Sequence, residues 1–332
     1  MECFKPEYYD SFHCIAAACP DSCCKEWEVD IDPQTAAYYR TLTGPLGERL
    51  QQVLRTTDEE TVMVIENGRC PMWQQDGLCR IHAELGHEAL CAVCREFPRL
   101  RHDYGDFVEL GLELSCPEAA RLILDSPVGT KNVTQLPGGE APEFDTDAMA
   151  ILRRSRQDVL AFLQNTAYSV PETLAILLLY GHSVQSELDG EAQAVPDPEQ
   201  ALQDARKWAE PGDMDAVFVF FRGLEILTPQ WSSRLQQPPV CLPWSDIFRN
   251  LAGYFIDRYW LQAVSDYDLI SRVKLAVIAC LLIHALGGDP VETAQLFSKE
   301  IENDPDNVDA ILDAAYTHPA FTDVSLLGLL LR

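Results

Sequence analysis

Apolar residues recur at three- and four-residue intervals through most of the chain after residue 145, in MAILRRSRQDVLAFLQN, TLAILLLYGHSV, DAVFVFFRGLEIL, DIFRNLAGYFIDRYWLQAV, YDLISRVKLAVIACLLIHAL, VETAQLFSKEIEN and NVDAILDAAYTH. That interval places one side of an α-helix against a core, so the pattern predicts an antiparallel helical domain over 146–332. DAVFVFF is rich in strand-forming residues, but no nearby segment offers a partner strand, and it is grouped with the helices. Ser265 and Asp266 are the expected cap of the most apolar helix, and Gly287-Gly288-Asp289-Pro290 is its expected stop. The apolar stretch LAVIACLLIHAL is about twelve residues long, short of the ~20 needed to span a bilayer, and predicts a buried helix. No fixed-period repeat is evident.

The first ~120 residues follow a different pattern, in which short helical segments alternate with cysteine-bearing turns. Asp32 before Pro33 is a helix start, and Gly44-Pro45 follows as a stop. A second helix is expected over 47–55. TVMVIEN (61–67) is β-branched and predicts a strand or hairpin arm. Asp103-Tyr104-Gly105-Asp106 predicts a turn between two extended pieces, the second being FVELGLEL. The segment 128–145, rich in Gly, Pro, Thr and Asn, predicts a linker or exposed loop, and 186–200 and 228–244 are further polar breaks. The expected fold is mainly α: a cysteine-rich loop and short-helix domain over 1–127 with little strand, then the helical domain.

Composition narrows the function classes. With 332 residues, 47% apolar and 23% charged, the chain is too apolar for a disordered one and long enough for two domains. Lys+Arg 25 against Asp+Glu 52 gives a net charge of -27, and no basic stripe interrupts the acidity. Nucleic acid and anionic membranes are therefore poor partners, and a lysine-bearing protein is a natural one. The N-terminal MECFKPEYYDSFHC lacks the basic start, apolar core and cleavage site of a signal peptide, so a cytoplasmic location is expected.

Twelve cysteines are present, and ten of them (Cys3, Cys14, Cys19, Cys23, Cys24, Cys70, Cys79, Cys91, Cys94, Cys116) precede residue 117. In a reducing compartment such a concentration predicts a metal or iron-sulfur site rather than a disulfide frame. Thiolates are soft ligands for zinc and for iron-sulfur clusters. Zinc held by four thiolates usually uses paired Cys-x2-Cys knuckles, and only Cys91-x2-Cys94 has that form, which favours iron-sulfur over zinc. His82 and His87 are expected to be polar surface, and His182, His284 and His318 structural. Trp27 and Trp73 shield or pack near the thiols, and Arg95 and Arg99 pair with nearby acids. Cys280 is expected in the core, and Cys241 in a proline-rich loop.

In this order, FHCIAAACPDSCCKEWEVDID, NGRCPMWQQDGLCRIHAELG, CREFPRL and LSCPEAARLIL resemble the flagellin lysine-N-methylase family. The Cys-Cys and Cys-Arg-x-Phe-Pro elements also resemble a broader family of zinc- or iron-chelating cysteine-rich domains. The resemblance covers about the first 125 residues. It implies metal ligation by Cys14, Cys19, Cys23, Cys24, Cys70, Cys79, Cys94 and Cys116, with Cys91 and Cys3 outside the pattern. It further implies methyl transfer from S-adenosylmethionine to flagellin lysines by a protein carrying an iron-sulfur cluster, of the 4Fe-4S type, with zinc as the alternative. The residues themselves offer no glycine-rich dinucleotide loop and no Cys-x3-Cys-x2-Cys spacing. The competing expectation is a non-enzymatic zinc- or iron-binding module whose helical domain recruits a partner. Candidate proton acceptors near the cysteines are Tyr8, Tyr9, Asp10, Glu26, Asp30 and Asp32, each of which also suits a cap or solvated surface.

Overall fold

Helices form where the apolar spacing predicts them, and several start at a local side-chain cap. Asp145 accepts from the backbone N–H groups of Asp147 and Ala148 and starts Thr146–Leu163. Ser169 and Glu172 form a reciprocal capping box at the start of Val170–Leu188. DAVFVFF lies within the helix Met214–Arg222, with Val217, Phe218 and Phe221 turned into the core. The computed structural model describes residues 1–25, 28–57, 60–129, 131–191 and 195–332. The protein is mainly α, with fifteen α-helices and two small sheets among the described residues. Among those residues no helix is long and apolar enough to cross a membrane.

Contacts group the chain into two compact units: Met1–Phe12 with Arg101–Ser115 and Ala119–Arg332, and His13–Leu100 with Cys116–Glu118. In the larger unit the helix Ile270–Leu286 is buried along nearly its whole circumference and forms the centre of the packing. Val170–Leu188 approaches it at Gly181, where a Cβ would stand 3.0 Å from Cγ2 of Val273. Only glycine permits that contact without moving the neighbour. The cap of Ile270–Leu286 differs from the expected Ser265-Asp266. Asp268 accepts from the N–H and Oγ of Ser271, and Oε1 of Gln185 takes the N–H groups of Leu269 and Ile270. Asp266 instead pairs with Arg272 at 2.8 Å. The expected stop is observed, with Gly287 and Gly288 at φ 67 and 79.

Three polar segments contain more structure than their composition predicts. Within 128–145, Lys131–Gln135 is a strand, antiparallel to Glu2–Pro6, which in turn pairs in parallel with Phe107–Leu112; Arg99–Asp103 completes the sheet. Lys131–Gln135 is an edge strand and nearly all solvent-facing, so it carries no apolar alternation to betray it. Within 228–244, Pro229–Leu235 is a helix that buries Trp231 and Leu235, capped by Thr228. The prolines that suggest a loop include one at the first helical turn, where it fits. Pro198–Trp208 begins inside the break at 186–200, capped by Asp197. The turn at 103–106 is observed, its Asp103 carboxylate accepting the Gly105 N–H at 3.0 Å.

Buried ion pairs join the sheet to the helices within this unit. Glu109 on Phe107–Leu112 accepts from Arg156 at 2.5 and 2.7 Å and lies 3.4 Å from Lys131, which meets Asp257 at 2.8 Å. Arg249 donates to the carbonyls of Leu163, Asn165 and Tyr168 and to Oγ1 of Thr173. One guanidinium thereby satisfies the groups left open between two helices.

The smaller unit has a modest core. Its sheet places Thr61–Met63 between Val29–Asp30 and Leu54–Thr56, so the strand expected in 61–67 is present. The helices Pro33–Thr41 and Gly44–Val53 pack Tyr39 and Leu50 with Val29, Ile31, Met63 and Met72. Gly44-Pro45, expected as a stop, opens the second helix.

Candidate metal centre

The thiols of the smaller unit sit on four hydrogen-bonded loops. Cys14 and Cys19 flank the single 3-10 turn Ala16–Ala18, and Sγ of Cys19 donates to the Asp21 carbonyl at 2.5 Å. Cys23 and Cys24 follow. The Cys70 N–H donates to the Cys24 carbonyl at 2.7 Å, and the Arg80 N–H donates to the Met72 carbonyl at 2.7 Å, so the three strings carrying Cys24, Cys70 and Cys79 are tied together. Cys79 stands just before the helix Arg80–Leu85 and Cys91 just before Ala92–Glu96, which holds Cys94 one turn on; neither thiol makes a side-chain cap bond.

Asp32 locks the last loop in place. Its Oδ1 caps Pro33–Thr41 through the Thr35 N–H, and its Oδ2 accepts the Ala92 N–H, both at 2.9 Å. Those donors hold its carboxyl below the usual range. Tyr39, whose hydroxyl donates to the Ala89 carbonyl at 2.7 Å, supports the same loop from beneath. Asp32 is therefore a structural double cap.

Electrostatic interactions connect all eight predicted ligands. Cys23 interacts with Cys24, Cys14 and Cys116; Cys19 with Cys14; Cys70 with Cys24 and Cys79; Cys94 with Cys23 and Cys24. Cys23 donates its proton toward Cys24 and is pushed up, while Cys24, accepting from Cys23, falls to about 7. The same asymmetry holds in the second pair, where Cys94 donates to Cys91 and Cys91 falls to about 7. Burial pushes Cys70 up to about 12 despite an N–H bond from Met72. Among the described residues no three His, Cys, Asp or Glu side chains converge closely enough to hold an ion together. The donor set is nonetheless of the right chemistry for a thiophilic centre, because every cysteine in the chain is a free thiol.

The structure separates the remaining cysteines. Cys3 is buried in the strand Glu2–Pro6 of the larger unit, Cys280 is enclosed in its central helix, and Cys241 is exposed. Cys91, outside the family pattern, is buried among the other thiols. Its Cys-x2-Cys spacing was the available signal.

His82 and His87 are exposed, stacked edge to face at 5.9 Å. The guanidinium of Arg69 lies 4.0 Å from the ring centre of Trp73. Arg95 lies 3.4 Å from Glu96. Glu26 and Trp27 lie outside the described residues.

Of the remaining candidate acceptors, Asp30 is exposed and Asp10 pairs with Lys5 at 2.5 Å. Tyr8, in the larger unit, lines a shallow cleft with Asn250, Tyr254 and Asp257. Burial, with the Asp257 charge, pushes its hydroxyl well above the ordinary range. It stays protonated at neutral pH, so it can donate a hydrogen bond but cannot serve as the base that takes the substrate's proton.

A mainly α protein with a thiol-rich unit is thus defined, and comparison places it further. Over 158 residues the chain is 30% identical to the lysine-N-methylases of Salmonella typhimurium and Salmonella choleraesuis, a match covering 42% of this chain and 38% of each relative. It is 31% identical over 137 residues to the flagellar biosynthetic protein FliU of Salmonella muenchen, covering 37% of this chain and 77% of that relative. The chain belongs to the flagellin lysine-N-methylase family. No family model and no solved structure matches it.

Proposed function

We propose that this protein transfers methyl groups from S-adenosylmethionine to lysine side chains of flagellin and that its cysteine-rich unit carries an iron-sulfur cluster. The observation that carries the proposal is the 158-residue match to proteins named lysine-N-methylase, supported by the free thiols gathered in one unit. Cys14, Cys19, Cys23, Cys24, Cys70, Cys79, Cys94 and Cys116 are the candidate ligands. When bound, an iron-sulfur cluster would supply folding energy and, at an iron lacking a thiolate, a place for the amino and carboxylate ends of S-adenosylmethionine.

The chain's own residues must solve a proton problem. A lysine amine has a pKa near ~10.4, so about one in 10³ is neutral at pH 7, and only the neutral amine attacks the sulfonium methyl. A charge of -27 draws a lysine-bearing substrate in, yet it also favours the ammonium form. Local desolvation has to outweigh that field. The Tyr8 hydroxyl, held protonated beside Asp257, suits orienting a ligand atom by donation rather than removing the proton.

The test is incubation of anaerobically purified protein with methyl-labelled S-adenosylmethionine and flagellin. Label on flagellin lysines is expected. No transfer by a brown protein with stoichiometric iron and sulfide would overturn the methyltransferase proposal, and colourless protein containing zinc would overturn the cluster and favour a binding module.

A further inference from the structure

The sheet of the larger unit ends in a strand with an open outer side. Lys131–Gln135 pairs antiparallel with Glu2–Pro6, and among the described residues no strand pairs with its other side. Its ladder can be read from one end. The Met1 amine donates to the Leu136 carbonyl, and the Leu136 N–H to the Met1 carbonyl, both at 3.0 Å. In an antiparallel pair such doubly bonded positions alternate with positions that exchange no bond. Thr134 opposite Cys3 and Asn132 opposite Lys5 therefore bond inward, whereas Lys131, Val133 and Gln135 turn their N–H and C=O groups outward. Pro6 stands opposite Lys131, a position where the alternation asks it for no N–H.

Sheet edges are ordinarily guarded by charge, proline, a bulge or a covering element. This one is guarded weakly. Its single charged side chain, Lys131, folds onto Glu109 and Asp257. Asn132, Val133, Thr134 and Gln135 are uncharged and exposed, Val133 by 52%. The first proline, Pro137, lies beyond the strand. A second copy of the chain would bring its own charge of -27, so pairing between copies is opposed and a basic segment is favoured. Gly129, a wall of the cleft formed with Tyr8, Asn250 and Asp257, stands two residues before the strand, so the open edge begins beside that cleft.

We propose that the outer edge of Lys131–Gln135 takes up an extended, lysine-bearing segment of the acceptor protein as an added strand, held by the N–H and C=O groups of Val133 and Gln135. That the segment belongs to flagellin rests on the methyltransferase reading; that the edge accepts a strand rests on the ladder.

The test is amide exchange of the full chain, resolved to single residues, with and without excess monomeric flagellin. In the free protein the Val133 and Gln135 amides should exchange readily while those of Asn132 and Thr134 are protected. Flagellin should slow Val133 and Gln135 at least tenfold. Val133→Pro deletes one outward donor and leaves the ladder to Glu2–Pro6 whole. It should weaken flagellin binding at least tenfold, with Asn132 and Thr134 still protected, and Val133→Thr, which keeps the N–H, should bind within twofold of the parent. Should Val133→Pro lose the ladder, exchange in the parent decides. Unchanged exchange at Val133 and Gln135 on adding flagellin, or parental binding by a folded Val133→Pro, overturns the proposal. Protection that grows with protein concentration alone also overturns it, in favour of pairing between copies. Labelled methyl transfer is measured alongside: parent that takes flagellin at this edge without labelling it refutes the methyltransferase reading alone, and labelling with an unprotected edge refutes the added strand alone.

Discussion

The two units solve the problem of burying polar chemistry in opposite ways. In the larger one, buried charges meet partners inside the protein itself: Glu109 meets Arg156 and Lys131, and Glu302 accepts from Tyr259 at 2.9 Å and from Tyr254 at 3.1 Å, with Nε of Arg258 at 3.2 Å. In the smaller one, the buried reactive atoms are sulfurs, which are like groups that cannot neutralise one another. The first arrangement finds its counter-charges within the unit, although Nε of Arg156 and Oε1 of Glu300 have no hydrogen-bond partner. The second is a set of like groups that, as thiolates, would repel one another, so if the unit holds the proposed centre its stability should depend on that centre.

The largest effect should follow from exploiting that difference. Stripping the centre with a chelator under anaerobic conditions, or Cys79→Ser, should unfold the 13–100 unit while the helical unit keeps its amide protection. Hydrogen exchange resolved by peptide measures this, and uniform loss of protection in both units would break the comparison. The reciprocal experiment is Arg156→Met, which leaves Glu109 with Lys131 alone at 3.4 Å and should cost about 3 kcal/mol, read by urea unfolding, with amide protection of the 13–100 unit unchanged. Combining it with Glu109→Leu should recover much of the loss, because neither charge is then left alone.

Acid should act on the same pair. Burial alone would raise the Glu109 carboxyl, but Arg156 and Lys131 prevail and hold it at about 2 against an ordinary 4.5. A folded value below the unfolded one gives stability that is present above about pH 4.5 and vanishes as pH approaches 2, worth about 3 kcal/mol in all. In Glu109→Gln the slope of unfolding free energy against pH in that window should flatten. The smallest effect is on the cysteine-rich side. Asp32→Ala removes two caps at once and should cost about 1–2 kcal/mol, with weaker retention of metal because the Cys91 loop loses its tether. Unchanged metal off-rates would separate the cap from the centre.

Local signals carried most of what the sequence made legible. Asp32 before Pro33, the Gly287-Gly288 stop and the three- and four-residue apolar spacing are each decided within a few residues, so the helices and the mainly α class could be read directly. Lys131–Gln135 could not, because an exposed edge strand is specified by its partner Glu2–Pro6 more than a hundred residues away. The Ile270–Leu286 cap failed for a similar reason: Gln185 supplies it from another helix. For the thiols, spacing shows their concentration in the early chain but not which of them are buried. Whether a sulfur is buried or faces solvent is a tertiary property, and it distinguishes Cys91 from Cys94 although they are three residues apart.

The widened turn Ser298–Glu302, which follows Pro290–Phe297, buries five consecutive residues, including Lys299, Glu300 and Glu302. A regular α-helix advances about 100° per residue and would turn some of these outward, whereas the π geometry accommodates one more residue per turn. Length is therefore under tighter constraint here than side-chain identity. Excising a single residue would restore ordinary pitch, rotate Glu302 off the two tyrosine hydroxyls, and leave Arg258 without its carboxylate, so indels should be rejected at 298–302 where conservative exchanges are accepted.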